Sequence, residues 1–137
     1  MGLRKISDAA LPPKLRAAYL RTVYRVGPTE IRIGKRGYRT DNLVHSMGVR
    51  SCVLFTAWNP MSRKMPEGWN RRMQRQLGQL TRHWHTAVGL GGDARWAEEH
   101  VLVAADPRLC LKLARRFRQR AVVELRRGQQ PALVVLA

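Results

Sequence analysis

Ser51-Cys52-Val53-Leu54-Phe55-Thr56-Ala57-Trp58-Asn59-Pro60 is the stretch that decides the fold. Cys52 to Ala57 is an almost unbroken apolar run, the pattern of a strand covered on both faces. It ends at Trp58-Asn59-Pro60, where the chain must leave the sheet because Pro60 has no N–H to donate. A central strand of this kind needs neighbouring strands on both sides and helices to cover it, so the search for these works outward from residue 52.

Downstream, Pro66 to His83 carries Trp69, Met73, Leu77, Leu80 and Trp84 at helical spacing, which predicts an amphipathic helix with those residues inward. A short strand is expected near His85 to Val88, and Gly89-Leu90-Gly91-Gly92-Asp93 reads as a flexible loop. His100 to Ala105 is the next predicted strand. Asp106-Pro107 then opens a second helix, with a capping Asp and a proline at the first helical position. Leu109, Cys110, Leu113, Ala114 and Phe117 make its apolar stripe. Ala121 to Leu125 and Ala132 to Leu136 are the last two predicted strands.

Upstream, Pro12-Pro13 opens a short helix with Leu15, Ala18 and Tyr19 on one side. Val23 to Val26 and Glu30 to Ile33 flank Gly27-Pro28-Thr29, a hairpin signal. Gly34-Lys35-Arg36-Gly37 is a basic turn, and Thr40 or Asp41 can cap a short helix that Gly48 stops. The expectation is an α/β fold: a single mixed β-sheet of about five or six strands with two main amphipathic helices packed on it. Residues 1–11 are expected to be a flexible lead-in and residues 12–137 a single domain.

The chain has 137 residues, 45% of them hydrophobic, enough for a proper core. Its formal net charge is +17, from 26 Lys plus Arg against 9 Asp plus Glu. Such a surface attracts polyanions, nucleic acid first among them. Arg outnumbers Lys 21 to 5, so the charge can also be the mark of a GC-rich genome. Cys52 and Cys110 each sit in an apolar run and read as buried hydrophobes. No stretch has a signal-peptide core or membrane-spanning length, so a cytoplasmic location is the expectation.

Three segments can carry chemistry. Thr56, Trp58, Asn59 and Ser62 cluster at the end of the central strand, where α/β sheets favour ligands. Asn-Pro is equally a common turn starter. Trp96-Ala97-Glu98-Glu99 places two acids side by side in an acid-poor chain. In a strand one Glu would face inward and one outward. An inward carboxylate could act as acid or base, and an outward one would pair with an arginine. Gln119 lies at the entrance of the strand after the second helix. If the strands beginning near residues 100 and 121 run parallel, and the central strand antiparallel to them, all three segments meet on one rim.

Glu98, Glu99 and Asn59 are therefore candidate catalytic residues, and Thr56, Ser62, Gln119, Trp58 and Trp96 candidate ligand contacts. Arg71, Arg72, Arg75, Arg82, Arg108, Lys112, Arg115 and Arg116 are candidate nucleic-acid contacts on the outer faces of the two helices, where they could hold phosphates. His45, His83, His85 and His100 do not match a zinc spacing, and Gly89 to Gly92 lacks the pattern of a phosphate-binding loop.

The same segments resemble a small bacterial family of uncharacterised proteins, a domain-of-unknown-function family with the pattern T-A-x-N-P-x-S, a Gly-rich stretch, W-x-E-E and F-G-Q-x-A. Here these read Thr56 to Ser62, Gly89 to Gly92, Trp96 to Glu99, and Phe117-Arg118-Gln119-Arg120-Ala121. The likeness spans roughly residues 19–136, and Arg118 stands where the pattern has Gly. The resemblance implies a shared polar site and no particular activity. Three functions stay open: a nucleic-acid or polyanion binder using the arginine-rich helix faces, a small enzyme or ligand-binding domain acting on an anionic metabolite or nucleotide, and an interaction module for an acidic protein. Cofactor and oligomeric state are left open.

Overall fold

The computed structural model describes residues 11–92 and 97–136. Along the chain these form α1 (Pro13–Arg21), β1 (Val23–Val26), β2 (Thr29–Ile31), α2 (Tyr38–Ser46), β3 (Ser51–Phe55), a 3-10 turn at Pro60–Ser62, and α3 (Glu67–Thr81). Then follow β4 (His85–Gly92), β5 (Ala97–Ala104), α4 (Pro107–Arg116), β6 (Ala121–Arg126) and β7 (Ala132–Val135). The sheet has seven strands in the order β2-β1-β4-β5-β3-β6-β7.

The α/β class is as expected; among the described residues the sheet has seven strands rather than about five or six, and two shorter helices, α1 and α2, accompany the two main ones. The sheet is not mixed, because every hydrogen-bonded pair is antiparallel. The strand–helix–strand unit remains parallel in direction, but β5 and β6 do not touch. β3 lies between them and runs against both, so α4 bridges over the central strand.

β3 is buried on both faces, which is why its sequence does not alternate. Val53 and Phe55 pack on one side with Leu77 of α3 and Cys110 and Ala114 of α4. Cys52 and Leu54 pack on the other with Val44 and Met47 from α2 and the turn after it. Each such fully buried aliphatic or aromatic side chain contributes about 1.5–3 kcal/mol. Both cysteines are buried and free, and burial pushes their thiols up to about 12, so they serve as packing.

Five local expectations need correction. The glycine stretch 89–92 is not a loop: it is the second half of β4, paired with β1 on one side and β5 on the other. Neither Thr40 nor Asp41 caps α2. Gly37 occupies that position, and Asp41 sits in the first turn, where it accepts from the Gly128 amide at 3.0 Å. β5 starts at Ala97, not His100. Leu109 is exposed rather than part of the α4 stripe. Leu11 is buried with Leu133 and Val135, so the lead-in stops short of it, and residues 1–10 lie outside the described residues.

The line of full burial on α3 is also displaced from the apolar one. Asn70, Gln74, Leu77 and Thr81 are buried, while Trp69, Met73, Leu80 and Trp84 flank them half-buried. On the open side of the same helix, Gly78 is exposed, and a Cβ there would meet nothing within 4 Å. Gly78→Ala is accordingly expected to stabilise the fold by roughly 0.5–1 kcal/mol through helix propensity. Thermal unfolding measures this, and a lowered midpoint would contradict it.

Candidate functional site

Because β5 and β6 both oppose β3, the C-terminal end of β3 and the N-terminal ends of β5 and β6 share one rim of the sheet. The chain leaving β3 is tied down at once. The Thr56 hydroxyl donates to the Glu99 carbonyl at 2.5 Å and accepts from the Trp58 amide at 3.0 Å. A hydroxyl has a single proton to give. Gln74 Oε1, 3.2 Å from Thr56, is therefore served by the Ala57 amide at 2.9 Å.

Asn59 is held more tightly still. Its backbone N–H donates to Asn70 Oδ1 at 3.0 Å. Its Oδ1 accepts from Asn70 Nδ2 at 2.9 Å and from the Met65 amide at 2.8 Å, and its Nδ2 donates to Glu98 Oε1 at 3.0 Å. These bonds fix a backbone that few residues adopt. Asn59, Met61 and Ser62 all have left-handed φ, of 47°, 54° and 61°. Each such conformation costs a non-glycine residue about 1–2 kcal/mol, and it persists only where surrounding bonds over-determine it. The Met61 amide donates to the Arg118 carbonyl at 2.7 Å, and Arg120 Nε to the Met61 carbonyl at 3.3 Å. Arg118 is itself left-handed, at φ 55°. Glycine adopts that conformation without strain, and arginine does not.

Around this turn lies a cavity of about 980 Å³ between α1 and the sheet rim. Thr56, Trp58, Asn59, Ser62, Glu98 and Gln119 all line it. The rim convergence thus holds in geometry, with Glu99 as the exception. Strand alternation turns Glu98 into the cavity and leaves Glu99 exposed on the other face. Glu99 contributes only its carbonyl, to Thr56. Trp96 lies outside the described residues. The helix-face cations from Arg71 to Arg116 are exposed and do not line the cavity. Arg71 pairs with Glu67 at 2.6 Å and Arg108 with Asp106 at 3.3 Å.

Several site residues had no signal in the motifs. Tyr19 reaches the cavity from α1, a helix with no fully buried residue because its inner side borders open space. Tyr24 and His100 meet edge to face beneath it, ring centroids 5.4 Å apart. Gly91 lets them do so, since a Cβ there would lie 2.8 Å from both rings. Asn70 and Gln74 were readable only as polar residues one helical turn apart within the α3 pattern.

The electrostatics favour protonated or neutral forms. Burial raises the Glu98 carboxyl above its ordinary range, partly offset by the Asn59 hydrogen bond. Burial also raises the Tyr19 hydroxyl; Ser62 and Arg120 oppose that shift and the Glu98 charge adds to it. His100 is pushed down to about 4 by burial. Its Nδ1–H donates to the Glu98 carbonyl at 2.9 Å, which opposes that shift only in part. Gln119 Nε2 donates to the Trp58 and Phe117 carbonyls at 3.0 and 3.3 Å, a bracing role. Trp58 lines the cavity, and its Nε1 is buried with no hydrogen-bond partner among the described residues.

Residues 55–122, which contain the whole rim from Thr56 to Gln119, match the family model described as Protein of unknown function (DUF3293). No curated protein and no solved structure matches the chain. Among the described residues no helix is long and apolar enough to cross a membrane.

Proposed function

We propose that this protein binds a small anionic molecule in the cavity beneath α1 and that Glu98 is the group that handles its proton or polar hydrogen. The observation that carries this is a single void of about 980 Å³ that gathers Glu98, Trp58 and Tyr19 from three separate chain segments. That volume is at the upper end of ordinary ligand sites, on the order of 300–1,000 Å³. A carboxyl raised by burial inside a cleft is one mark of such sites. Arg21 and Lys64 on the cavity wall, within a strongly positive chain, favour an anionic ligand. With a general acid or base in place, the site is equipped for proton transfer in a small-molecule reaction.

The test is Glu98→Gln, which keeps an oxygen for Asn59 Nδ2 and removes the ionisation. Thermal-shift titration with nucleoside phosphates, sugar phosphates and small carboxylates should raise the midpoint of the parent and leave the variant unmoved. No shift with any of these, or equal shifts in both proteins, would defeat the reading. The pH behaviour supplies a second readout. The folded carboxyl holds its proton more tightly than the unfolded one, so ionising it works against folding. The two proteins should be equally stable in acid, below the ordinary carboxylate range. The variant should pull ahead as the pH rises through and above that range.

A second reading rests on the packing of α3 and α4 against the same face of the sheet. Arg71, Arg72, Arg75 and Arg82 then project on the same side as Arg108, Lys112, Arg115 and Arg116, which favours a surface for polyanion backbones.

A further inference from the structure

A second concentration of unpaired positive charge lies apart from α3 and α4. It lies at the start of α2, which packs on the opposite face of the sheet. Arg32, Lys35, Arg36 and Arg39 are all exposed and border one shallow hollow of about 290 Å³. The turn that carries the first two is fixed by a backbone bridge between Arg32 and Lys35. Two carboxylates stand at its margin and both are engaged: Glu30 with Arg25 at 3.5 Å, and Asp41 with Arg36 at 3.4 Å. Arg32, Lys35 and Arg39 have no ion-pair partner among the described residues.

Within this patch stands Tyr38, 71% exposed, the most exposed aromatic among the large hydrophobics of the described surface. Nothing in the fold requires it there, because α2 is anchored by Val44 and Leu43. The Arg39 guanidinium lies 6.0 Å from the Tyr38 ring centroid, and its Nε donates to the Tyr38 hydroxyl at 3.4 Å. The ring is thus steadied on one side and open elsewhere. Cations alone hold any polyanion. Cations around an exposed aromatic face hold a chain that offers phosphates and unstacked bases together. A duplex keeps its bases stacked inside and cannot use the ring.

We propose that the Arg32–Lys35–Tyr38–Arg39 surface binds single-stranded nucleic acid, with phosphates on the cations and one base stacked on Tyr38. This site is separate from the cavity and does not depend on it. It also differs from the α3–α4 surface, so each can fail alone.

The decisive measurement is fluorescence anisotropy of labelled single-stranded RNA, single-stranded DNA and duplex DNA of equal length over a salt series. Tyr38→Ala should weaken single-strand binding roughly tenfold or more, Tyr38→Phe should keep it, and duplex binding should be unchanged by either. Two triple variants separate the patch from the bulk field: Arg32/Lys35/Arg39→Ala and Arg71/Arg72/Arg75→Ala remove the same charge. The first should flatten the single-strand salt dependence by about 2 log units per log unit of salt, at about 0.7 for each phosphate no longer neutralised. The second should change it less. Circular dichroism confirms folding, which an exposed ring does not support. RNA and DNA titrations show which single strand is preferred. Unchanged binding by Tyr38→Ala, or equal losses in the two triple variants, would overturn the proposal. So would loss of single-strand preference under heparin, which carries charge without bases, and the patch would then be a general polyanion surface.

Discussion

Asn70→Ala is expected to lower stability by about 3–4 kcal/mol, from leaving buried polar groups without partners. Asn70 is 2% exposed, and its amide is bonded through both heteroatoms. Alanine would strand the Asn59 backbone N–H, remove one of two donors from Asn59 Oδ1, and free the Met65 carbonyl. The larger consequence is mechanical. Asn59, the first of the left-handed residues of the turn that Met61 and Ser62 continue, is held in place by that bonding. For a chain of this size the loss corresponds to a fall of roughly 10–15 °C in the unfolding midpoint. Urea unfolding should show a lower midpoint with an unchanged slope. Asn70→Asp is the informative companion. It keeps an acceptor for the Asn59 amide but sets oxygen against oxygen where Asn70 Nδ2 now donates across 2.9 Å. It should therefore lose most of the same stability near neutrality and regain part of it in acid, where a protonated Asp can donate. A loss below about 1 kcal/mol for alanine, the worth of one ordinary hydrogen bond, would show that the turn is held by something else.

The parts of this architecture that could be read in the sequence are those where one physical requirement dominates. Cys52 to Phe55 must be covered on both faces, and apolar continuity says so without any knowledge of partners. Asp106-Pro107 fixes a helix start by local chemistry alone, and the Asp106 side chain does accept from the Arg108 amide at 2.9 Å. Gly89 to Gly92 failed because glycine has two uses. It permits tight turns, and it also permits close approach inside a sheet. Only the distant residues Tyr24 and His100 decide between the two. The antiparallel character of the whole sheet failed for a related reason. The unit from β5 through α4 to β6 is locally the same whether or not another strand is inserted between the pair.

The candidate site was legible to the extent that rim geometry follows from strand direction. Thr56, Asn59, Glu98 and Gln119 meet because β3 opposes β5 and β6. Their division of labour was not legible. Thr56, Asn59 and Gln119 spend most of their hydrogen bonds on the chain itself, whereas Glu98 keeps a carboxyl at the cavity. Choosing Glu98 over Glu99 needed the register, which sets Glu98 opposite Gly91 and Glu99 opposite Leu90. Asn70 and Gln74 escaped because a polar residue in a helix reads as solvent-facing unless something polar is known to face it. Here the orphan amides of Ala57 and Asn59, released by the strand end, are what face it. The Arg32 to Arg39 patch was visible only as the basic turn around Lys35-Arg36, because charge summed over the chain does not reveal where charge is left unpaired.

Gly91→Ala should cost about 3 kcal/mol, the upper range for an overpacked core site, and should impair the cavity at the same time. The added Cβ would stand 2.8 Å from His100 Cε1 and from Tyr24 Cδ1, and 2.9 Å from Tyr24 Cε1. Neither ring can step aside easily. Tyr24 is 3% exposed, and His100 is tethered through Nδ1 to the carbonyl of Glu98. Relief must therefore come from shifting that carbonyl, which moves the residue that carries the cavity carboxyl. Gly89→Ala is the control: its nearest atoms are Leu54 Cδ1 at 3.1 Å and the Arg25 carbonyl and Val26 Cγ2 at 3.3 Å, looser contacts than those at Gly91. It should cost less, on the order of 1 kcal/mol. Urea unfolding ranks the two variants, and the thermal-shift response to anionic ligands tracks the cavity. Equal losses at both glycines would show that β4 suffers from strand disruption in general and that the Tyr24–His100 contact has no special bearing on Glu98. A stable Gly91→Ala protein with unaltered ligand response would detach the glycine from the site altogether.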